Sequence, residues 1–218
     1  MSRRFDLLVF DWDGTLMDSA AAITDSLRAA CRDLDLAVPS EEQARYVIGL
    51  GLRDAMSHIL PGLDPAIYPR VAERYREHYL RRDPDTSLFA GAAETIAKLH
   101  ESGYLLAVAT GKSRRGLDRS LRATGLEGYF HATRCADEGH VKPHPGMLQS
   151  LMDSLRVADA RTLMIGDTTH DMEMARAAGV ARLGAAYGAH SRNALLQYAP
   201  LACLDDFESL RQWLLAHA

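Results

Sequence analysis

The sequence predicts a doubly wound parallel α/β sheet interrupted by a helical insertion. Three observations carry that reading: four short, uniformly apolar segments, amphipathic stretches of helical period between them, and an interval from about Thr15 to Arg82 with helical periodicity but no convincing strand. Uniformly apolar strands belong to parallel sheets covered on both faces. Their alternation with helices selects a layered α/β architecture.

The first strand is Leu7–Phe10 (LLVF), halted by Asp11. Helical periodicity then runs through Ala20–Leu34, Glu41–Val47, Arg53–Leu60 and Ala66–Arg82. This places an inserted helical domain at residues 15–82, between core segments 1–14 and 83–218. The sheet resumes with Leu105–Ala109 (LLAVA), Thr162–Ile165 (TLMI) and Ala181–Ala185. Helices at Ala92–Glu101, Gly116–Thr124, Pro145–Leu155 and Met172–Ala178 cover it, the last closing at Gly179, a residue suited to a left-handed cap. Ser191–Tyr198 and Asp206–Ala216 read as two more helices. Ligands of open α/β sheets bind outside the carboxyl ends of the strands, at the switch point of strand order. The insertion directly follows strand one and is therefore placed to act as a lid.

Composition narrows the function classes. The 218 residues are 47% hydrophobic and 25% charged, with a net charge of -4, which is ordinary for a globular protein. No block of five like charges occurs, so the electrostatic footprint of a nucleic-acid binder is missing. No apolar run approaches the ~18 residues that span a bilayer, and Leu7–Phe10 ends too soon for a secretory signal. The expected setting is the cytoplasm, the expected partner a small molecule, and the expected state a monomer or weak homodimer. Cys31, Cys135 and Cys203 are odd in number and form no Cys-x-x-Cys, so free thiols are expected.

Chemistry concentrates at strand ends. Asp11 and Asp13, at i and i+2 where a strand stops, fall on one side of the extended chain. Two facing carboxylates repel unless a cation lies between them, which implies a divalent metal. A turn at Asp13-Gly14 would explain the glycine, but not an acid directly after four core residues. Asp167 stands at the tip of a later strand and Asp171 about one helical turn beyond it. Asp167 supplies the further oxygen that a hard Mg²⁺ site needs, whereas Asp171 could also cap a helix.

These residues resemble a known family. DWDGTL at 11–16, Thr110 after LLAVA, Lys142 in VKPHP and GDTTHD at 166–171 are similar, in order, to the four motifs of the haloacid dehalogenase-like hydrolase superfamily. The insertion after the first motif resembles its helical-cap subgroup, which includes phosphoglycolate phosphatases, and implies a Rossmann-like core. By that resemblance Asp11 is the nucleophile and forms an aspartyl-phosphate. Asp13 is general acid and then base, and Asp11, the Asp13 carbonyl and Asp167 hold Mg²⁺. Elementary chemistry agrees, since a phosphomonoester dianion resists an anionic nucleophile unless positive charge surrounds it. Lys142, the Thr110 hydroxyl and backbone N–H groups around Gly14 and Gly111 provide that environment, and Asp171 orients Lys142 or a bound water.

Other features carry less. The chain has three lysines, Lys98, Lys112 and Lys142. Lys98 reads as a surface charge. Gly111-Lys112-Ser113 imitates the end of a P-loop, but position 106 is Leu where the pattern needs Gly. His140, His144 and His170 show no zinc-binding spacing and read as surface or loop residues. Trp12 and Tyr187 read as packing aromatics. Gly49-Leu50-Gly51-Leu52-Arg53 is either a connecting turn or a specificity loop whose Arg53 binds an anionic substrate tail.

The expected activity is Mg²⁺-dependent hydrolysis of a small phosphomonoester, phosphoglycolate first by resemblance. Asp13 argues against haloacid dehalogenation, which needs no second acid. The absence of lysine from residues 15–82 removes phosphonoacetaldehyde hydrolysis, which needs a cap Schiff base. A phosphosugar mutase and a pyrophosphatase stay open. A catalytically silent binding module would have lost one of Asp11, Asp13, Lys142 or Asp167, and all are present.

Overall fold

A computed structural model describes residues 3–82 and 86–218. Six parallel strands, β1 (Leu7–Phe10), β2 (Leu105–Thr110), β3 (Ala132–Cys135), β4 (Thr162–Gly166), β5 (Ala181–Ala185) and β6 (Cys203–Leu204), form one sheet in the order β3-β2-β1-β4-β5-β6. That order reverses direction between β1 and β4, which therefore frame the switch point where ligands bind in such sheets. Phe10 is in register with Val108 on one side and Ile165 on the other.

Strand alternation divides the core in two. Leu8, Phe10, Leu106, Val108 and Ile165 face one layer, made by α5 (Ala92–Glu101), α6 (Arg114–Thr124) and α10 (Phe207–His217). Leu7, Val9, Ala107, Ala109 and Met164 face the other, made by α7 (Gly146–Leu155) and α8 (Thr169–Ala177). A short helix, α9 (Arg192–Leu196), packs beside β5 and β6. Because both faces are buried, LLVF needs no polar residue.

Between β1 and β2 lie α1 (Ala20–Asp33), α2 (Glu41–Tyr46), α3 (Leu52–Ile59), a 3-10 turn at Pro65–Ile67 and α4 (Tyr68–Arg82). These helices have an apolar core of their own, built on Leu27, Cys31, Val47, Met56 and Val71. The two crossings into the helical unit pair with each other: Asp18 N–H donates to Ser87 O (2.9 Å) and Phe89 N–H to Leu16 O (3.0 Å). The expected return boundary at residue 83 lies outside the described residues. Among the described residues no helix is long and apolar enough to cross a membrane, and all three cysteines are free and buried.

Two strands, β3 and β6, escape the sequence reading. Both lie at sheet edges. β3 reads ATRC with three half-buried residues, and β6 has two residues, so neither shows the apolar run of a doubly covered strand. Helix starts differ for local reasons. The Ser113 side chain accepts from Gly116 N–H and starts α6 at Arg114, while a capping box between Thr168 and Asp171 starts α8 at Thr169. The expected Gly179 cap is present, with φ +72°.

Leu8 has no exposed surface. Leu8→Ala removes its apolar contacts and leaves a cavity, expected to cost about 2–5 kcal/mol and lower Tm by roughly 4–20 °C. Differential scanning calorimetry measures the shift.

Candidate active site

The site begins at the two strands flanking the switch point. The N–H of Asp11 donates to Ile165 O (2.9 Å), so the sheet ladder continues one residue past β1 and fixes the base of the Asp11 side chain. Asp11, Asp167 and Asp171 are fully buried, and each offers a carboxylate oxygen within 4.8 Å of the others. Lys142, from the loop after β3, enters this acidic cluster with its side chain fully buried. Its Nζ lies 2.7 Å from Asp11 Oδ1 and 2.7 Å from Asp171 Oδ1. These are ionic contacts rather than well-directed hydrogen bonds.

Three carboxylates against one ammonium leave an excess of negative charge in a place that excludes water. Burial pushes Asp11 well above the usual carboxylate range, with Asp171 and Asp167 adding to the shift and Lys142 opposing it. Burial and Asp171 likewise push Asp167 up to about 7, against hydrogen bonds from Ala189 and Thr15. Burial disfavours the Lys142 ammonium, but Asp11 and Asp171 outweigh it and hold it protonated. Asp11 Oδ2 is buried and has no hydrogen-bond partner among the described residues. Clustered oxygen donors, surplus charge and an unpartnered carboxylate oxygen fit a hard divalent cation such as Mg²⁺.

The remaining candidates fall into place around this cluster. Asp171 serves two ends: its Oδ2 accepts from Thr168 N–H (3.0 Å) and Thr168 Oγ1 (2.7 Å), capping α8, while Oδ1 faces Lys142. The Asp13 carboxylate lies apart from the three clustered acids. Its Oδ1 accepts from Ser19 Oγ (2.6 Å) and pairs with Lys112 Nζ (3.0 Å). Thr110 is fully buried at the end of β2, and its Oγ1 accepts from Lys112 N–H (3.1 Å), leaving the hydroxyl proton to donate elsewhere.

Glycine matters at two points. A Cβ on Gly14, which has φ +82°, would sit 2.2 Å from Asp167 Oδ2, and a Cβ on Gly111 would meet the carbonyls of Gly49 and Leu50 at 2.6 Å. Of the N–H groups expected around Gly14 to meet phosphate oxygens, that of Gly14 itself closes its own loop onto Met17 O at 2.8 Å. What Gly14 supplies is room for Asp167.

The Gly49–Arg53 loop reaches the site through its backbone, pressed against Gly111. Arg53 itself is not brought there. It is exposed on α3 and lines a cleft of about 300 Å³ with Leu52, Met56, Tyr68 and Pro69, all from the helical unit.

A model of the haloacid dehalogenase-like hydrolase family matches residues 8–185. The chain belongs to the haloacid dehalogenase-like hydrolase family. It is 37% identical over 210 residues to "Probable phosphatase IndB" of Dickeya dadantii, covering 94% of this chain and 91% of that protein. It is 34% identical over 219 residues to a phosphoglycolate phosphatase of Rhodospirillum rubrum, covering 95% and 90%. A hydrolase structure from Pseudomonas syringae superposes with a TM-score of 0.89 over 96% of this chain and 97% of that one, at 20% identity, which speaks to the fold alone. Among haloacid dehalogenase-like hydrolases this chain is a phosphatase-type enzyme.

Several residues of this hydrolase were not legible as site residues. Lys112 carries the signal that could have found it: one of three lysines, two residues past a buried strand-end threonine. Ser19 precedes α1, yet its hydroxyl serves Asp13 and makes no cap bond to the helix. Thr15 Oγ1 donates to Asp167 Oδ1 (2.7 Å) and Ala189 N–H to Asp167 Oδ2 (2.7 Å). His170, expected at the surface or in a loop, is instead buried in α8, because the helical unit docks over it. Its Nε2 and that of His190 both donate to Tyr46 O, at 2.8 and 2.9 Å. The assignment follows from chemistry, since a carbonyl only accepts, and His190 Nδ1 already accepts from Thr169 N–H.

This seam has a pH consequence. Burial drives His170 down to about 4, against the favourable Tyr46 carbonyl, while an unfolded histidine titrates near ~6.5. The unfolded chain therefore binds more protons between those values, and stability falls as pH drops from about 6.5 towards 4. His170→Gln is expected to shrink the stability difference between pH 7 and pH 4.5 by about 1–3 kcal/mol. Urea denaturation of both proteins at the two pH values checks it.

Proposed function

We propose that this enzyme is a Mg²⁺-dependent phosphomonoesterase for a small phosphorylated metabolite, phosphoglycolate first among them, working through an aspartyl-phosphate on Asp11. The supporting observation is the buried Asp11 carboxylate, anchored through Oδ1 by Lys142 and unpartnered at Oδ2. Asp11 and Asp167 would hold the metal together with the Asp13 carbonyl. When bound, the ion supplies positive charge that offsets the phosphoryl oxygens and the clustered acids.

The chain's own groups account for the rest. Lys142 opposes the burial that disfavours the Asp11 anion and holds the carboxylate in one orientation, so the nucleophile is pre-positioned. Its ammonium, the Thr110 hydroxyl and backbone N–H groups near Gly111 face the phosphoryl oxygens and stabilise charge that a bare carboxylate would repel. As the Asp11 oxygen bonds to phosphorus, the ester P–O bond breaks and the leaving oxygen takes the proton of Asp13. Asp13 then accepts a proton from water as that water attacks phosphorus, releasing inorganic phosphate and regenerating Asp11. Ser19 and Lys112 hold Asp13 for both transfers. The helical unit covers these steps and excludes bulk water.

Asp11→Asn preserves shape and removes the nucleophilic anion. Phosphate release should fall by at least about 10³-fold, with circular dichroism unchanged. Residual turnover above about 1% would remove Asp11 from this role.

Metal dependence is read without turnover as well. Mg²⁺ at about 100 times its Kd should stabilise the wild type by about 2.7 kcal/mol. The gain should be smaller near pH 5 than near pH 8, because Asp167, titrating near about 7, must lose its proton for binding. Asp167→Asn should abolish it. Full phosphatase activity in excess chelator, with no thermal shift, would sink the metal assignment.

A further inference from the structure

Two of the three lysines of this chain lie at the site, Lys142 buried and Lys112 half-buried, and they stand on different sides of it. Lys142 contacts the nucleophile Asp11, whereas Lys112 contacts Asp13, the group that meets the leaving oxygen. Lys112 is held firmly at its backbone: its N–H donates to Thr110 Oγ1 (3.1 Å), and its carbonyl accepts from Ala136 N–H (3.0 Å). Its side chain is 9% exposed. From there Nζ reaches Asp13 Oδ1 at 3.0 Å and the hydroxyl of Tyr79, on α4 of the helical unit, at 3.0 Å, with the ammonium 4.7 Å from the centre of the Tyr79 ring.

We infer that Lys112, with Tyr79 as its support from the helical unit, is the leaving-group anion site of this enzyme, selecting phosphomonoesters whose departing group carries a second anionic charge close to the ester oxygen. The inference rests on the assignment of Asp13 as general acid. A general acid works within about 2.6–3.2 Å of the atom it protonates; with Oδ1 of Asp13 taken by Ser19 and Lys112, the proton rides on Oδ2, and the ammonium lies within roughly 3–8 Å of the leaving oxygen. A carboxylate on the carbon next to that oxygen spans such a distance, and so does the terminal phosphate of inorganic pyrophosphate.

The chemistry of the group supports an anion. An ammonium has three donors, and two of those on Lys112 have partners among the described residues, Asp13 and Tyr79. Asp13 compensates the ammonium on one side only, and on the open side a substrate anion adds a favourable charge contact that a neutral alcohol would not. Tyr79 is 5% exposed, so its phenol holds the ammonium from the helical side while its ring face adds a cation–π contact. Arg53, which the sequence offers for this role, is exposed on α3 and lines a separate cleft of the helical unit, which leaves the role to Lys112.

The test compares kcat/KM for four substrates in the presence of Mg²⁺: phosphoglycolate, inorganic pyrophosphate, ethyl phosphate and p-nitrophenyl phosphate. The wild type should prefer the better of the two anionic substrates over ethyl phosphate by at least about 10-fold, and which one wins tells carboxylate from phosphate. Lys112→Gln should reduce that preference by at least about 10-fold, mostly through KM, as expected when binding of a non-reacting group is lost. Lys112→Arg, which keeps the charge, should restore part of it, and Tyr79→Phe, which removes a single oxygen, should lower it about 3-fold. The inference is overturned if wild type treats ethyl phosphate and the anionic substrates alike, or if Lys112→Gln and Tyr79→Phe slow all four by a common factor. Absence of phosphate release from every substrate, p-nitrophenyl phosphate included, would instead overturn the phosphatase reading beneath it.

Discussion

The structure depends on one buried cation placed among acids. Lys142 lies between Asp11 and Asp171 with its side chain out of contact with solvent, and without it three carboxylates would face one another in a medium of low polarity. Removing a buried charge from such a cluster leaves its partners uncompensated, a penalty of several kcal/mol. The same contact orients Asp11, the carboxylate on which the proposed chemistry runs. Stability and reactivity thus rest on one geometry. The elements that hold it are rigid: β1 and β4 are central strands, and Asp171 is locked to Thr168 in the cap of α8.

Burial, together with the excess of negative charge that remains, raises Asp11 and Asp167, while Asp11 and Asp171 keep Lys142 protonated. Burial and like charge push in the same direction for the acids, and the single ammonium does not offset both. A site arranged this way is costly for the protein alone and becomes favourable when further positive charge enters. That is the logic of a site tuned for binding rather than for stability. Small residues accept the crowding. Gly14 and Gly188 both face Asp167 where any Cβ would overlap it.

Legibility in the sequence followed burial. Asp11 and Asp167 were readable because each interrupts a run of core residues at a strand tip, and a charged group there has no packing explanation. The central strands were readable for the same reason. β3 and β6 were not, because an edge strand is half solvated and mixes polar with apolar residues. Lys112, Ser19, His170 and His190 were misread or passed over for another cause. Each becomes significant through a partner distant in sequence or across the seam with the helical unit, such as Tyr79 or Tyr46, and no local pattern encodes that contact. Arg53 shows the converse. A cation beside two glycines looks like a site, yet in the first turn of α3 it is exposed and lines a cleft formed by the helical unit alone.

The split between what the sheet holds and what the helical unit holds has a mechanical basis. Asp11, Asp167, Asp171 and Lys142 hang on β1, β4, α8 and the loop after β3, all within the α/β core. Asp13 does not. It lies in the loop closed by Gly14 N–H to Met17 O, and the next residues, 16–18, pair with 87–89 to form the two-stranded crossing between the units. Its carboxylate is held by Ser19, the residue just before α1, and by Lys112, itself held by Tyr79 of α4. A displacement of the helical unit would therefore act on Asp13 through two contacts while Asp11 and Lys142 keep their sheet-based supports. An insertion placed after the first strand gains this coupling from chain connectivity, because Asp11 ends the strand and Asp13, two residues later, already leads into the crossing between the units.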